Sequence, residues 1–195
     1  MRQYNWNLKL SIHRAKQIKT SEIFEPMKIK LIHDDICFSE CDAIINPSNT
    51  HCYMGGGVAG ALKKKGGTEI EEAAVHQGPI PIGEAIITQG GKLRVPYVIH
   101  APTMEQPEGI SNVYYINEAL HAAFNIAKEK GLRRIALPGM GTGIGGVSFE
   151  EAADIMTNVL AEFWEDFDDI CITDTELKFL GAMEKMLRKK GLLKT

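Results

Sequence analysis

No apolar run in this 195-residue chain approaches the roughly 18 residues that a membrane-spanning helix needs, so no membrane partner is expected. The opening stretch, MRQYNWNLKLSIHRAK, lacks the apolar core of a secretory leader, and the expected compartment is the cytoplasm. Cysteine is sparse. Cys37, Cys41, Cys52 and Cys171 form no CxxC pair, and although His33 and His51 lie near three of them, the spacing does not make a metal site. In a reducing compartment these thiols should be free. A glycine-rich turn ending in GK[ST] is absent, which argues against a Walker-type nucleotide phosphatase. Net charge is also small, at −3, and gives no global pull toward nucleic acid or an anionic surface, so no nucleic-acid partner is expected. Neither repeats nor low-complexity segments occur.

What remains is an ordinary globular composition, 44% hydrophobic and 24% charged, long enough for one domain with one substantial core. Its charge is uneven: residues 1–30 carry seven Lys/Arg against two acids, and residues 150–176 carry ten acids and no Lys or Arg. Solvated helix faces and a basic arm account for this pattern. Residues 1–26 are poorly patterned and read as an arm or an added strand, with the main domain at 27–195.

Within that domain, alternating or short apolar runs predict six strands, at 27–33, 43–46, 84–90, 97–101, 133–138 and 169–173. Helical spacing appears between them at 58–77 (broken at Gly66-Gly67), 111–130, 149–166 and 175–190. Ser148 with Glu151 fits a capping box, and Gly131 and Gly191 suit helix ends. Strands alternating with helices predict a three-layer α/β/α sandwich around a mixed, largely parallel six-stranded sheet.

Two glycine-rich stretches interrupt this pattern. Asn46 to Gly67 reads NPSNTHCYMGGGVAGALKKKGG, and Pro138 to Gly146 reads PGMGTGIGG. Both fall in strand-to-helix connections, where bare backbone N–H groups and a helix N-terminus can hold an anion. Each matches GxGxxG, which alone is weak, and tight turns are the simpler alternative. Two such turns on one sheet edge suggest a ligand gripped from both sides, and a diphosphate is the natural candidate.

DAIINPSN…MGGGVAGAL followed by IALPGMGTGIGG resembles the macro domain, an ADP-ribose-binding module. The likeness runs from about Met27 to Lys190 and extends to macro-histone and coronaviral members. It implies ADP-ribose, or an ADP-ribosylated protein or metabolite, as partner, and no cofactor. By the resemblance, Asp35 accepts from the adenine amino group with Ile36 beside it. Gly55, Gly56, Gly57 and Val58 form one phosphate loop. Gly141, Thr142, Gly143, Ile144 and Gly145 form the other. Asn49 holds the distal ribose and is the catalytic candidate, and Asn46 braces the loop from the strand end.

Departures from the family are equally informative. Gly145 and Thr173-Asp174 stand where the family often has aromatics, with Phe149 or Phe179 as conceivable substitutes. Ala59 and Lys63 stand where one hydrolase type has Asp and His, which removes a carboxylate base. Three functions follow: a slow hydrolase of mono-ADP-ribosyl groups, O-acetyl-ADP-ribose or ADP-ribose 1″-phosphate; a non-catalytic ADP-ribose reader; and, more remotely, a Rossmann-type dinucleotide enzyme. His51 reads as an exposed loop histidine. Oligomeric state is not legible.

Overall fold

A computed structural model describes residues 28–193, so the expected N-terminal arm lies outside the described residues. Six strands form one sheet: β1 (Ile29–His33), β2 (Ala43–Asn49), β3 (Ile86–Gln89), β4 (Tyr97–Met104), β5 (Arg134–Leu137) and β6 (Asp169–Asp174). Their spatial order is β1-β6-β5-β2-β4-β3, parallel throughout except for β3 against β4. The order is not that of a Rossmann dinucleotide fold, in which the first strand is central and carries the glycine turn.

The period-2 alternation of the buried strands sorts their side chains onto two faces. Ala43, Ile45, Ile99, Ala101, Ile135, Leu137, Ile170 and Ile172 face one core. There they meet α3 (Val113–Glu129), α4 (Phe149–Phe163) and α5 (Leu177–Lys189). Ile44, Val98 and Ala136 face the other, against α1 (Gly57–Gly66), α2 (Glu69–Gln77) and the short 3-10 helix Ile36–Phe38. The break at Gly66-Gly67 separates α1 from α2: Gly67 has φ +111°, and a Cβ there would collide with the Glu69 carboxylate.

Helix starts follow local chemistry. Ser148 and Glu151 make the expected capping box, and Asn112 caps α3 by accepting from Tyr115 N. Gly131 and Gly191 end α3 and α5 at φ +68° and +74°. Two strands run longer than their apolar patterns. β2 continues past Asn46 through Pro47-Ser48-Asn49, and β4 past Ala101 through Pro102 to Met104. Proline is tolerated in β2 because pairing with β5 stops at Ile44, so Pro47 has no donor to supply on that side. Among the described residues no helix is long and apolar enough to cross a membrane.

Candidate functional site

The carboxyl ends of β1, β6, β5, β2 and β4 share one edge of the sheet, where ligands of open parallel sheets bind. Two adjoining cavities lie along it. One, of about 240 Å³, lies between the two glycine stretches and reaches Asn49, Tyr53 and Glu108. The other, of about 260 Å³, lies over the ends of β1 and β6 between Asp35-Ile36 and Thr173-Asp174. Gly57 and Val58 line both, so they form one continuous cleft.

The first glycine stretch leads into α1. Its N-cap is Gly56, which supplies no capping side chain, and no acid lies in the first turn. α2, by contrast, carries three glutamates in its first turn, and α3 and α4 are capped by Asn112 and Ser148. A bare N-terminus leaves the first N–H groups and the positive end of the helix dipole open to an anion. Glu71 supports the loop from behind: its carboxylate accepts from Met54 N (2.6 Å) and from Lys63 (2.9 Å). Burial raises the Glu71 pKa, but the Met54 N–H and the Lys63 ammonium outweigh it and hold the carboxyl below its usual value.

The second stretch is tied to the turn that follows β4. Ser111 N donates to Gly145 O (2.9 Å), and Val147 N donates to Gly141 O (3.1 Å). A Cβ on Gly145 would lie 2.6 Å from Ser111 Cβ and 2.8 Å from Gly141 O. The aromatic that the family often carries there is therefore excluded by packing. Gly141 has φ +71° with Ser111 Oγ and Ile116 against it, which only glycine tolerates. Gly139 N is held by Asp174 Oδ2 (2.9 Å). Among the described residues, the N–H groups of Gly143 and Ile144 have no protein partner. Across the cleft, the position of a Cβ on Gly56 is 3.6 Å from Ile144 Cδ1, so the loops face each other closely.

Asp35 and Ile36 line the β1–β6 end. Asp35 is not idle. It caps the 3-10 helix through Cys37 N (2.9 Å) and pairs with Lys65 (2.6 Å), whose ammonium also lies over Phe38. Burial pushes the Asp35 pKa up, but Lys65 and the Cys37 N–H prevail and keep it ionised below its usual range.

The side chains of two residues assigned to the site turn away from the cleft. Asn46 is wholly buried behind the cleft, because the pleat turns it to the α1 side of the sheet. Its Nδ2 donates to His100 Nδ1 (3.1 Å), and His100 Nε2 meets Thr88 Oγ1 (2.9 Å). Burial lowers the His100 pKa to about 4, so the ring is neutral. Thr142 turns its hydroxyl back to Gly139 O (3.2 Å) and does not line the cavity.

Asn49 does line the cleft, yet its amide is occupied: Oδ1 accepts from His51 N and Tyr53 N, and Nδ2 donates to Tyr53 O (2.8 Å). It thus closes the 49–53 turn and presents Tyr53, 53% exposed, to the cleft. His51 stacks on Tyr53. Phe149 and Phe179 pack against each other and line neither cavity.

Sequence reading missed Tyr53, Glu71 and the turn Pro107–Glu108. Only Tyr53 had a signal, as an aromatic between the NxxN element and the glycines. No cluster of three or more metal-binding side chains occurs among the described residues. Burial raises the thiols of Cys37 and Cys41 to about 12 and of Cys52 to about 11, so they stay protonated.

The chain is 41% identical over 162 residues to an uncharacterized protein of Aquifex aeolicus, covering 83% of this chain and 98% of that one. It is 46% identical over 119 residues to an uncharacterized protein of Aeropyrum pernix, covering 61% and 63%. Among solved structures, a Trypanosoma brucei macrodomain in complex with ADP-ribose superposes with a TM-score of 0.73 at 25% identity, over 82% of this chain and 69% of that one. A mutant macrodomain of Oceanobacillus iheyensis gives 0.74 at 25% identity, over 83% and 92%. The family model described as "Macro domain" matches residues 45–156, which span both glycine loops and most of the cleft, and the chain belongs to the macro domain family.

Proposed function

We propose that the cleft binds ADP-ribose, free or as the modifying group of a protein or metabolite. The observation that carries this reading is the apposition of two glycine loops in which the N–H groups of Gly143 and Ile144 and those at the bare start of α1 lack protein partners. Such donors suit a diphosphate that approaches bare backbone. Adenine then falls at the β1–β6 end, where Asp35 accepts from its amino group while keeping Lys65, and Ile36 lies beside it. Gly55, Gly56, Gly57 and Val58 hold one side of the diphosphate, and Gly143, Ile144 and Gly145 the other. The distal ribose falls at Asn49 and Tyr53. The Trypanosoma brucei complex supports this ligand by likeness. Calorimetry with ADP-ribose, AMP and NAD tests it. Tightest binding is expected for ADP-ribose, and no binding, or equal binding of NAD, overturns the reading.

Hydrolysis of mono-ADP-ribosyl groups, O-acetyl-ADP-ribose or ADP-ribose 1″-phosphate is a second reading, favoured by one observation. Glu108 is the single carboxylate among the residues lining the distal cavity. In this reading, for a mono-ADP-ribosyl group, a water attacks C1″, the bond to the acceptor breaks, and the water's proton passes through Glu108 to the leaving group. Asn49, an amide, contributes position and not proton transfer. General-base assistance contributes about 10²–10⁴-fold. Single-turnover release should therefore fall by that order in Glu108→Gln at unchanged ADP-ribose affinity. An unchanged rate rejects Glu108 as base, and no release by the unmodified protein leaves the reader.

A further inference from the structure

A groove of about 460 Å³ lies beyond the distal end of the cleft, and we propose that it receives the polypeptide around an ADP-ribosylated residue, preferring a segment with Lys or Arg beside that residue. This inference rests on the ADP-ribose reading of the cleft. The strand order gives the direction. Along the carboxyl edge the adenine end lies over β1 and β6, the loops over β5 and β2, and Asn49 and Met104 at the ends of β2 and β4. The next strand is β3, and the groove occupies its approach, between the 79–82 turn and Glu105-Gln106.

One residue separates the two spaces on each wall. Asn49 and Met104 line the cleft, whereas Thr50 and Glu105 line the groove. The partition is closed by Thr50 N to Met104 O (3.1 Å) and Thr50 Oγ1 to Glu105 O (2.6 Å). A chain attached to the distal ribose passes over this low wall into the groove.

The chemistry of the groove selects among occupants. Pro79, Pro81 and Ile82 make an apolar side. Opposite them, the Glu105 carboxylate is fixed by Tyr115 OH (3.0 Å). Glu84 follows the 79–82 turn, and the Glu118 carboxylate lies beside Gly83. No Lys or Arg occurs from Gly66 to Gly91 or from Val95 to Ala127, the two segments that build the groove together with Thr50. Among the described residues lining it, the one charged side chain is Glu105. A second ADP-ribose unit of a polymer would bring its own diphosphate and be repelled, as would an acidic acceptor segment. A segment with a cation beside the modified residue meets Glu105 and lays its backbone on the apolar side.

The test compares four ligands by calorimetry at low and high salt: free ADP-ribose, an ADP-ribose dimer, and two peptides carrying one ADP-ribose at the same residue, flanked by Lys/Arg or by Glu. The basic peptide should bind about 3- to 10-fold more tightly than free ADP-ribose, the sum of a few exposed ion pairs. The acidic peptide and the dimer should bind no more tightly than free ADP-ribose. High salt should erase the difference. Glu105→Gln, which keeps an acceptor for Tyr115, should reduce the basic advantage and leave free ADP-ribose affinity unchanged. Equal affinity of the two peptides, a tighter dimer, or full preference in Glu105→Gln overturns the inference while the cleft reading stands. Failure of every ligand, free ADP-ribose included, overturns both.

Discussion

Gly56→Val separates ligand binding from folding. Gly56 has φ −157° and ψ −175°, extended backbone that any residue adopts. A Cβ there meets only Ile144 Cδ1, at 3.6 Å, an ordinary van der Waals contact. Melting temperature should thus stay near that of the unmodified protein. The ligand fares differently. N–H to phosphate bonds need about 2.7–2.9 Å, and two branched methyls on the cleft side of the loop hold the phosphate further out. Each hydrogen bond to a charged group contributes about 1.5–3 kcal/mol, so losing two amounts to about 3–6 kcal/mol. Even at the lower end, with each 1.4 kcal/mol a tenfold step, ADP-ribose affinity should fall at least ~100-fold. Calorimetry beside a thermal melt reads both quantities. A normally folded variant that binds ADP-ribose within threefold of the unmodified protein would refute the placement of the diphosphate at this loop.

Restoring the family aromatic by Gly145→Phe should cost at least about 1–3 kcal/mol in urea unfolding and weaken ADP-ribose binding, since Ser111 and the Gly141 carbonyl occupy its space; an equally stable, tighter-binding variant would contradict that packing. Acidification should destabilise the fold through His100. Its folded pKa of about 4 lies below the ordinary 6.5, so the unfolded chain binds the extra proton and stability falls as pH drops below 6.5 toward 4. Linkage gives about 2 kcal/mol lost between pH 7 and 5, with His121 offsetting part because its partners Asn117 O and Glu162 outweigh burial and raise its pKa; a flat urea midpoint over that range in a His121→Gln background would count against a neutral buried His100. Asp42→Asn should lower stability by about 1–2 kcal/mol, because the carboxylate accepts from Arg133 N, Arg134 N and the Arg134 guanidinium at the start of β5; an unchanged melting temperature would show these partly exposed bonds to be worth nothing net.

Most of the architecture was legible in the chain, for identifiable reasons. Ile44 against Ile45, Val98 against Ile99 and Ala136 against Ile135 alternate between two cores, and alternation is a local property. The helix at 149–163 announced itself by Ser148, Glu151 and its apolar stripe, all within reach of one another along the sequence. The paired glycine stretches marked the ligand edge because bare backbone ahead of a helix has few other uses.

What the residues do within that frame depended on contacts between distant segments. Local reading gave Asn46 and Asn49 to one loop. The pleat of β2 turned Asn46 to His100, 54 residues away, and left Asn49 to close the Tyr53 turn. Gly145 was read as a missing aromatic, but Ser111 fills the place where that ring would stand. Glu71 supports Met54 from the next helix, and Glu108 enters the cleft from a turn that carries no motif. Periodicity and turn chemistry act over a few residues, so the sequence alone determined the elements and the edge where a ligand sits. Side-chain partners are chosen by proximity after packing, so only the tertiary structure decided which polar groups face the cleft and which are used to hold it open.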